Sequence, residues 1–212
     1  MLGIATAVVL LGASIAPFLA PPVVRLEQDR AGVGALTGYS SAQLDAVSGS
    51  LLRDLVLWQG DFAVAVDSVP VLKDPERGHM RDVRTVFTGF WLLVLAGAVV
   101  LAAGFRRARS PVARAAAWSA ARNGARGLAV AIAVAGAFAI VAFDAAFEVF
   151  HRLFFSAGTY DFAPRPDRLV QLFPEQFWSE IAIAVGVVVL GAALVTSWQA
   201  ALRARGAQGM VA

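Results

Sequence analysis

The sequence predicts an all-α membrane protein, with four transmembrane helices and a small helical extracytoplasmic cap. Three observations carry that expectation. Of the 212 residues, 58% are hydrophobic and 16% charged, and the mean hydropathy is +0.68; a soluble domain carries about 25% charge and 45–50% apolar residues. Four runs without a charge approach or exceed the about 20 residues needed to cross a bilayer: Met1–Val24, Val86–Phe105, Gly127–Phe143 and Ile181–Leu202. Finally, the charges between these runs are sorted by sign. Because lipid leaves no backbone group unpaired, four separated runs read as helices rather than a barrel. The same composition excludes a disordered chain, collagen and a nucleic-acid-binding tail. With no cysteine in the sequence, disulfides, thiolate nucleophiles and zinc–sulfur sites are excluded too.

The first span is expected over residues 1–24. It has no basic n-region and is long for a signal-peptide core, so it reads as retained. Residues 25–85 form a helical extracytoplasmic region, too long for a simple connection. Within it Leu44, Val47, Leu51, Leu55 and Trp58 follow helical spacing, with Ser40 or Ser41 as N-cap. Asp74 and Pro75 then make a helix start that runs into the second span, 86–105. A basic loop, 106–126, precedes the third span, which extends as one helix over 127–150. An aromatic loop at 151–180 leads to the fourth span, 181–202, bracketed by Trp178 and Trp198 as interfacial anchors. The tail is 203–212.

Charge sorting sets the topology. Segment 106–126 holds six arginines and no acid, and the tail adds Arg203 and Arg205. All fifteen carboxylates fall in 25–85 and 144–180. By the positive-inside rule the basic loop and both termini face the cytoplasm of a bacterial cytoplasmic membrane, and the acidic segments face outward.

Two residues stand out for chemistry. His79 and His151 are the only histidines. His79 lies seven residues before the second span and His151 eight after the charge-free run of the third. At 1.5 Å per residue both sit roughly 10 Å outside the hydrocarbon. Glu76, His79 and Asp82 share one helix face, as do Asp144, Glu148 and His151. Imidazole suits general acid–base work near neutral pH, and Glu76, Asp82 or Glu148 can orient it. The same groups can also serve as a nitrogen–oxygen metal site, although no metal-ligand spacing such as HExxH is present. Seven aromatics between residues 154 and 178 suit either anchoring in the lipid interface or lining a substrate path. Arg152, Phe154, Phe155, Tyr160, Glu175 and Phe177 are the lining candidates, and Arg152, Arg165 and Arg168 can meet a phosphate or an oxyanion. No GxSxG elbow, P-loop or dinucleotide turn is present, and no charge lies within a span, as a pump would need.

Taken together, three motifs resemble one family. They are Glu76-x-x-His79-x-x-Asp82-Val83 before a span, Phe150-His151-x-x-Phe154-Phe155, and Pro174-Glu175-x-Phe177 before the last span. The sequence resembles the bacterial lipoprotein intramolecular transacylase (Lit) family, over nearly the whole chain. The resemblance implies transfer of the sn-2 acyl chain of a diacylglyceryl-modified lipoprotein to its N-terminal cysteine amine, leaving a lyso-form. His79 and His151 would be the catalytic pair, one as base and the other stabilising the oxyanion or protonating the leaving alkoxide, with either order open. No cofactor is implied; the partners are lipidated lipoproteins and membrane lipid, not nucleic acid. Two departures bear on substrate: Tyr160 stands where the family usually carries Trp, and Ala157 or Gly158 where Asn or Asp is frequent. The rival readings are a metal-dependent lipid or peptide hydrolase, a non-catalytic accessory protein, and a transporter.

Overall fold

The computed structural model describes residues 1–209; residues 210–212 of the expected tail lie outside the described residues. Four helices are long and apolar enough to span a membrane: Leu2–Leu19, Asp74–Arg107, Pro111–Val141 and Glu175–Gln208. The chain is a multi-pass membrane protein. It divides into two compact units.

The first unit comprises Met1–Ala16, Phe90–Phe138 and the chain from Ala184 onward. It contains α1 (Leu2–Ile15) and segments of α5 (Asp74–Arg107), α6 (Pro111–Val141) and α9 (Glu175–Gly209). Most of its buried apolar residues are alanines, among them Ala5, Ala117, Ala121, Ala125 and Ala200. Leu128, Val189 and Ala193 are buried, with Ala7, Leu10, Leu11 and Ile132 packed around them. The large apolar residues turn outward instead, among them Leu92, Leu95, Val130, Val134 and Leu194. Such inverted burial is what lipid as solvent permits, since lipid tails are as apolar as leucine. At Gly124 a Cβ would collide with the carbonyl oxygen of Gly3, so these two glycines let the backbones of α1 and α6 touch.

The second unit comprises Pro17–Gly89 and Ala139–Ile183. It holds α2 (Pro21–Arg30), α3 (Val33–Thr37), α4 (Ser41–Leu57), α7 (Phe143–Phe154), α8 (Arg168–Leu172) and the first turns of α5 and α9. Helix α4 opens with a capping box in which Ser40 accepts the Gln43 N–H and the Gln43 side chain accepts the Ser40 N–H. Leu44, Val47 and Leu51 are buried in the unit's core with Val33, Phe62, Leu72 and Leu172, so the apolar stripe of α4 covers its own unit. Buried Gln28 donates to the Leu172 carbonyl at 3.0 Å and accepts from Ser48 at 2.9 Å. That chain satisfies polar groups inside an apolar core, where an unpaired one costs about 1–3 kcal/mol.

Several expected boundaries differ. The first span does not run to residue 24: α1 ends at Ile15, a 3-10 turn covers Ala16–Leu19, and α2 starts afresh at Pro21. Pro17, Pro21 and Pro22 cannot donate backbone hydrogen bonds, which breaks a single helix here. The basic segment 106–126 is mostly helix. Arg106 and Arg107 end α5, and α6 begins at Pro111 with the Ser110 hydroxyl accepting the Ala113 N–H at 3.2 Å, a Ser-Pro helix start. The third helix is broken at Ala142 (φ −146°, ψ 63°), and α7 begins at Phe143; nothing in the local sequence explains the break. A two-stranded hairpin, β1 (Ala65–Val66) with β2 (Val69–Pro70), adds strand to a chain expected to be all helix. Asp67 and Ser68 supply its turn at positive φ, without the glycine that marks most such turns in a sequence.

Candidate active site

The first turns of α5 carry His79, and α7 carries His151; both lie in the second unit. The two imidazoles are stacked, with ring centroids 6.0 Å apart and planes 23° from parallel. Their exposures are 7% and 9%. An aromatic wall surrounds them. Phe155 lies edge-on to His79 at 4.8 Å and 5.5 Å from His151. Phe162 meets His79 at 5.7 Å, while Phe147 and Tyr160 lie 4.2 and 5.0 Å from His151.

The two rings differ in their partners. His151 Nδ1 is 2.8 Å from the carbonyl oxygen of Phe147, one turn earlier on α7. A carbonyl only accepts, so Nδ1 carries a proton, and in the neutral ring the lone pair is on Nε2. His79 Nδ1 is buried without a hydrogen-bond partner among the described residues. Burial holds the His79 imidazole down at about 4, helped by the neighbouring His151 and opposed by Asp82. His79 is therefore neutral near pH 7, because the apolar wall disfavours its charged form.

The carboxylates expected to orient the histidines are placed otherwise. Glu76, 0% exposed, accepts the Lys73 N–H at 2.8 Å and the Leu169 N–H at 2.6 Å. It joins the start of α5 to the start of α8 and touches neither imidazole. Glu148 pairs with Arg152 at 2.6 Å on the surface. Asp82 is exposed and makes no side-chain hydrogen bond among the described residues. Among the lining candidates, Phe155 and Tyr160 meet the histidines, while Phe154 is half-exposed against Phe150 at 4.9 Å. Phe177 is buried between Phe173 and Trp178, each at 5.2 Å, and Glu175 is exposed in the first turn of α9. Among the described residues no three His, Asp or Glu side chains come together as a metal-ligand group.

A neutral imidazole in an aromatic pocket beside a second imidazole can offer a hydrogen-bond donor and a base at one place. Comparison with known proteins places the chain in a family. The family model for the lipoprotein intramolecular transacylase Lit matches residues 1–178. The chain belongs to the Lit family. The solved structure of the membrane-integral lipoprotein intramolecular transacylase Lit from Bacillus cereus is similar to it at TM-score 0.79 and 17% identity, covering 97% of this chain and 93% of that one. Variants of the Bacillus cereus protein with one histidine replaced by arginine or by alanine are similar at TM-scores of 0.68 and 0.66, each at 18% identity. No curated protein sequence matches.

This Lit family member has site neighbours that sequence reasoning missed. Phe147 is one: its carbonyl accepts from His151 Nδ1 and its ring packs on the imidazole at 4.2 Å, tilted by 44°. The signal was available, since Phe147 and His151 are four apart on one helix face. Phe162 reaches His79 from a loop, and no periodicity could have shown that.

Proposed function

We propose that the chain catalyses intramolecular acyl transfer on diacylglyceryl-modified lipoproteins, at the extracytoplasmic side of the membrane, with His79 and His151 as the catalytic pair. The observation that carries this reading is the asymmetry of the two rings. His151, whose Nδ1–H is committed to the Phe147 carbonyl, has Nε2 free to act as base. His79 is neutral, and its orphaned nitrogen is Nδ1. A bare lone pair is easier to bury than an unpaired N–H, so the ring presents Nε2–H to the substrate.

The reaction then follows from these two atoms. His151 Nε2 takes a proton from the α-amino group of the substrate cysteine as its nitrogen attacks the sn-2 ester carbonyl. The oxyanion accepts a hydrogen bond from His79. A neutral donor serves here because the pocket excludes water and the hydrogen bond is stronger for it. The tetrahedral intermediate collapses with loss of the glycerol sn-2 alkoxide, which recovers the proton from His151. One ester C–O bond breaks and one amide C–N bond forms. Nucleophile and ester belong to one molecule, so proximity contributes to the rate without an enzyme nucleophile.

The sidedness rests on charge sorting, with arginines free of acids in 106–126 and 203–205. A metal-dependent hydrolase would need a third donor beside the histidines, and among the described residues no third His, Asp or Glu joins them as a ligand group. Mass spectrometry of lipoprotein N-termini tests the proposal, in a host lacking other N-acylation and carrying wild type, His79→Ala or His151→Ala. Wild type should give an N-acylated lyso-form, and both variants the diacylglyceryl form with a free amine. A folded wild type that leaves the amine free overturns the reaction.

A further inference from the structure

The first unit holds eight arginines and no Asp or Glu, so no acidic side chain within it neutralises them. They are not evenly spread. Arg114, Trp118 and Arg122 recur every fourth residue on α6 and therefore share a face. From α9, the Arg203 guanidinium lies 5.1 Å from the centre of the Trp118 ring, and Phe105 of α5 packs on that ring at 4.5 Å. The Arg203 guanidinium thus lies over an indole that is flanked along α6 by Arg114 and Arg122, one turn to either side. Only Arg114 is tied down, by its Nε–H donating to the Ala108 carbonyl at 3.2 Å. The Nε of Arg122 is buried without a hydrogen-bond partner among the described residues, which leaves donor capacity unused beside Trp118.

We propose that Arg114, Trp118, Arg122 and Arg203 form a binding site for the headgroup of an anionic phospholipid. The chemistry selects that ligand. Arginine presents a planar fork that matches phosphate oxygens, and no internal acid competes for it. Trp118 is the kind of residue that sits at the headgroup level, and the cluster lies near charge-free helix on three chain segments: Phe105 ends one run, Arg203 directly follows another, and Arg122 lies five residues before the third. The stack on Trp118 holds the Arg203 guanidinium in place before a lipid arrives.

The test uses the purified full chain in detergent and measures binding of phosphatidylglycerol and phosphatidylcholine by native mass spectrometry. Wild type should retain phosphatidylglycerol preferentially, and raising NaCl from about 50 to about 500 mM should weaken that preference. Each arginine near an anionic surface is worth about fivefold in affinity. The triple variant Arg114→Gln, Arg122→Gln, Arg203→Gln should therefore bind about 100-fold more weakly. An equal-charge control, Arg106→Gln, Arg107→Gln, Arg109→Gln, should lose far less, and the triple Arg→Lys variant, which keeps the charge but not the fork, should fall between wild type and the triple Gln variant. If the triple Gln variant does not fold, Arg203→Gln alone should still show a loss of about fivefold. Equal binding of the two lipids overturns the proposal. So does an equal loss in the control, which would mean a diffuse surface charge rather than a site. Displacement by a soluble polyanion that leaves lipid preference absent would assign the cluster to another partner.

Discussion

Glu76 and Leu169 stand 93 residues apart in the chain and are joined by a 2.6 Å hydrogen bond, from the Leu169 N–H to a carboxylate that is wholly buried. The second oxygen of Glu76 accepts the Lys73 N–H, so one side chain secures the start of α5 and the start of α8. Lys73 and Asp167 add an ion pair at 2.8 Å across the same junction. His79 is one turn beyond Glu76, and the loop ahead of α8 carries Tyr160 and Phe162, which wall the two imidazoles. The carboxylate expected to orient a histidine directly instead positions the segments that enclose it.

Glu76→Ala should leave the buried Leu169 N–H and the part-buried Lys73 N–H unpaired and cost about 2 kcal/mol of stability. Glu76→Gln, which keeps one acceptor oxygen, should cost less. Hydrogen exchange at residues 163–172 is the decisive readout, because it should accelerate in both variants and more in Glu76→Ala. Unchanged exchange there would mean that α8 is held by its apolar contacts alone.

Stability should also fall on acidification through His79. Its folded-state value of about 4 lies below the ordinary 6.5, so between those limits the unfolded chain binds the proton and the folded chain does not. The contribution is complete above pH 6.5 and is lost progressively as pH falls toward 4, amounting to about 3 kcal/mol. Thermal unfolding at pH 7.5 and pH 4.5 should show a larger drop for wild type than for His79→Gln, which has no proton to gain. Equal drops would place the acid sensitivity elsewhere.

The architecture was legible in the sequence where solvent dictates pattern. Four charge-free runs found the four helices, and Ser40 with the Leu44–Leu51 stripe found α4, because lipid and core each impose a composition or a period. The heights of His79 and His151 followed from counting residues along helices, but their 6.0 Å stacking depends on how α5 and α7 face each other, which no local pattern encodes. The role of Glu76 was illegible for the same reason, since its partner Leu169 is remote in sequence. The breaks at Pro17–Pro22 and Ser110–Pro111 were written in the residues and overridden by a reading that followed charge alone.

Phe155 touches both imidazoles, and its ring is part of the apolar wall that keeps His79 neutral. Phe155→Ala should admit water to the pair and return the His79 proton affinity from about 4 toward 6.5. An NMR titration of selectively labelled histidine would report this. In the acyl-transfer assay the same variant should lose about tenfold or more in rate, because a solvated donor stabilises an oxyanion less well. A titration midpoint that stays near 4 would show that the wall is not what sets it.

Gly124 and Gly127 lie one turn apart on α6, and alanine at the two positions should act with opposite sign. Helix propensity alone favours alanine over glycine at both, by about 0.5–1 kcal/mol. At Gly127 nothing lies within 4 Å of an added Cβ, so Gly127→Ala should raise the apparent Tm in detergent slightly. At Gly124 the added atom would overlap the Gly3 carbonyl, and Gly3 in turn would place a Cβ 3.0 Å from the Ala120 oxygen. The obstacle is backbone on both sides, which cannot rotate away as a side chain could. Gly124→Ala should therefore push α1 off α6 and lower stability by about 2 kcal/mol, the overpacking penalty outweighing the propensity gain. If both substitutions stabilise the protein, the close approach of Gly3 and Gly124 is not part of the native fold.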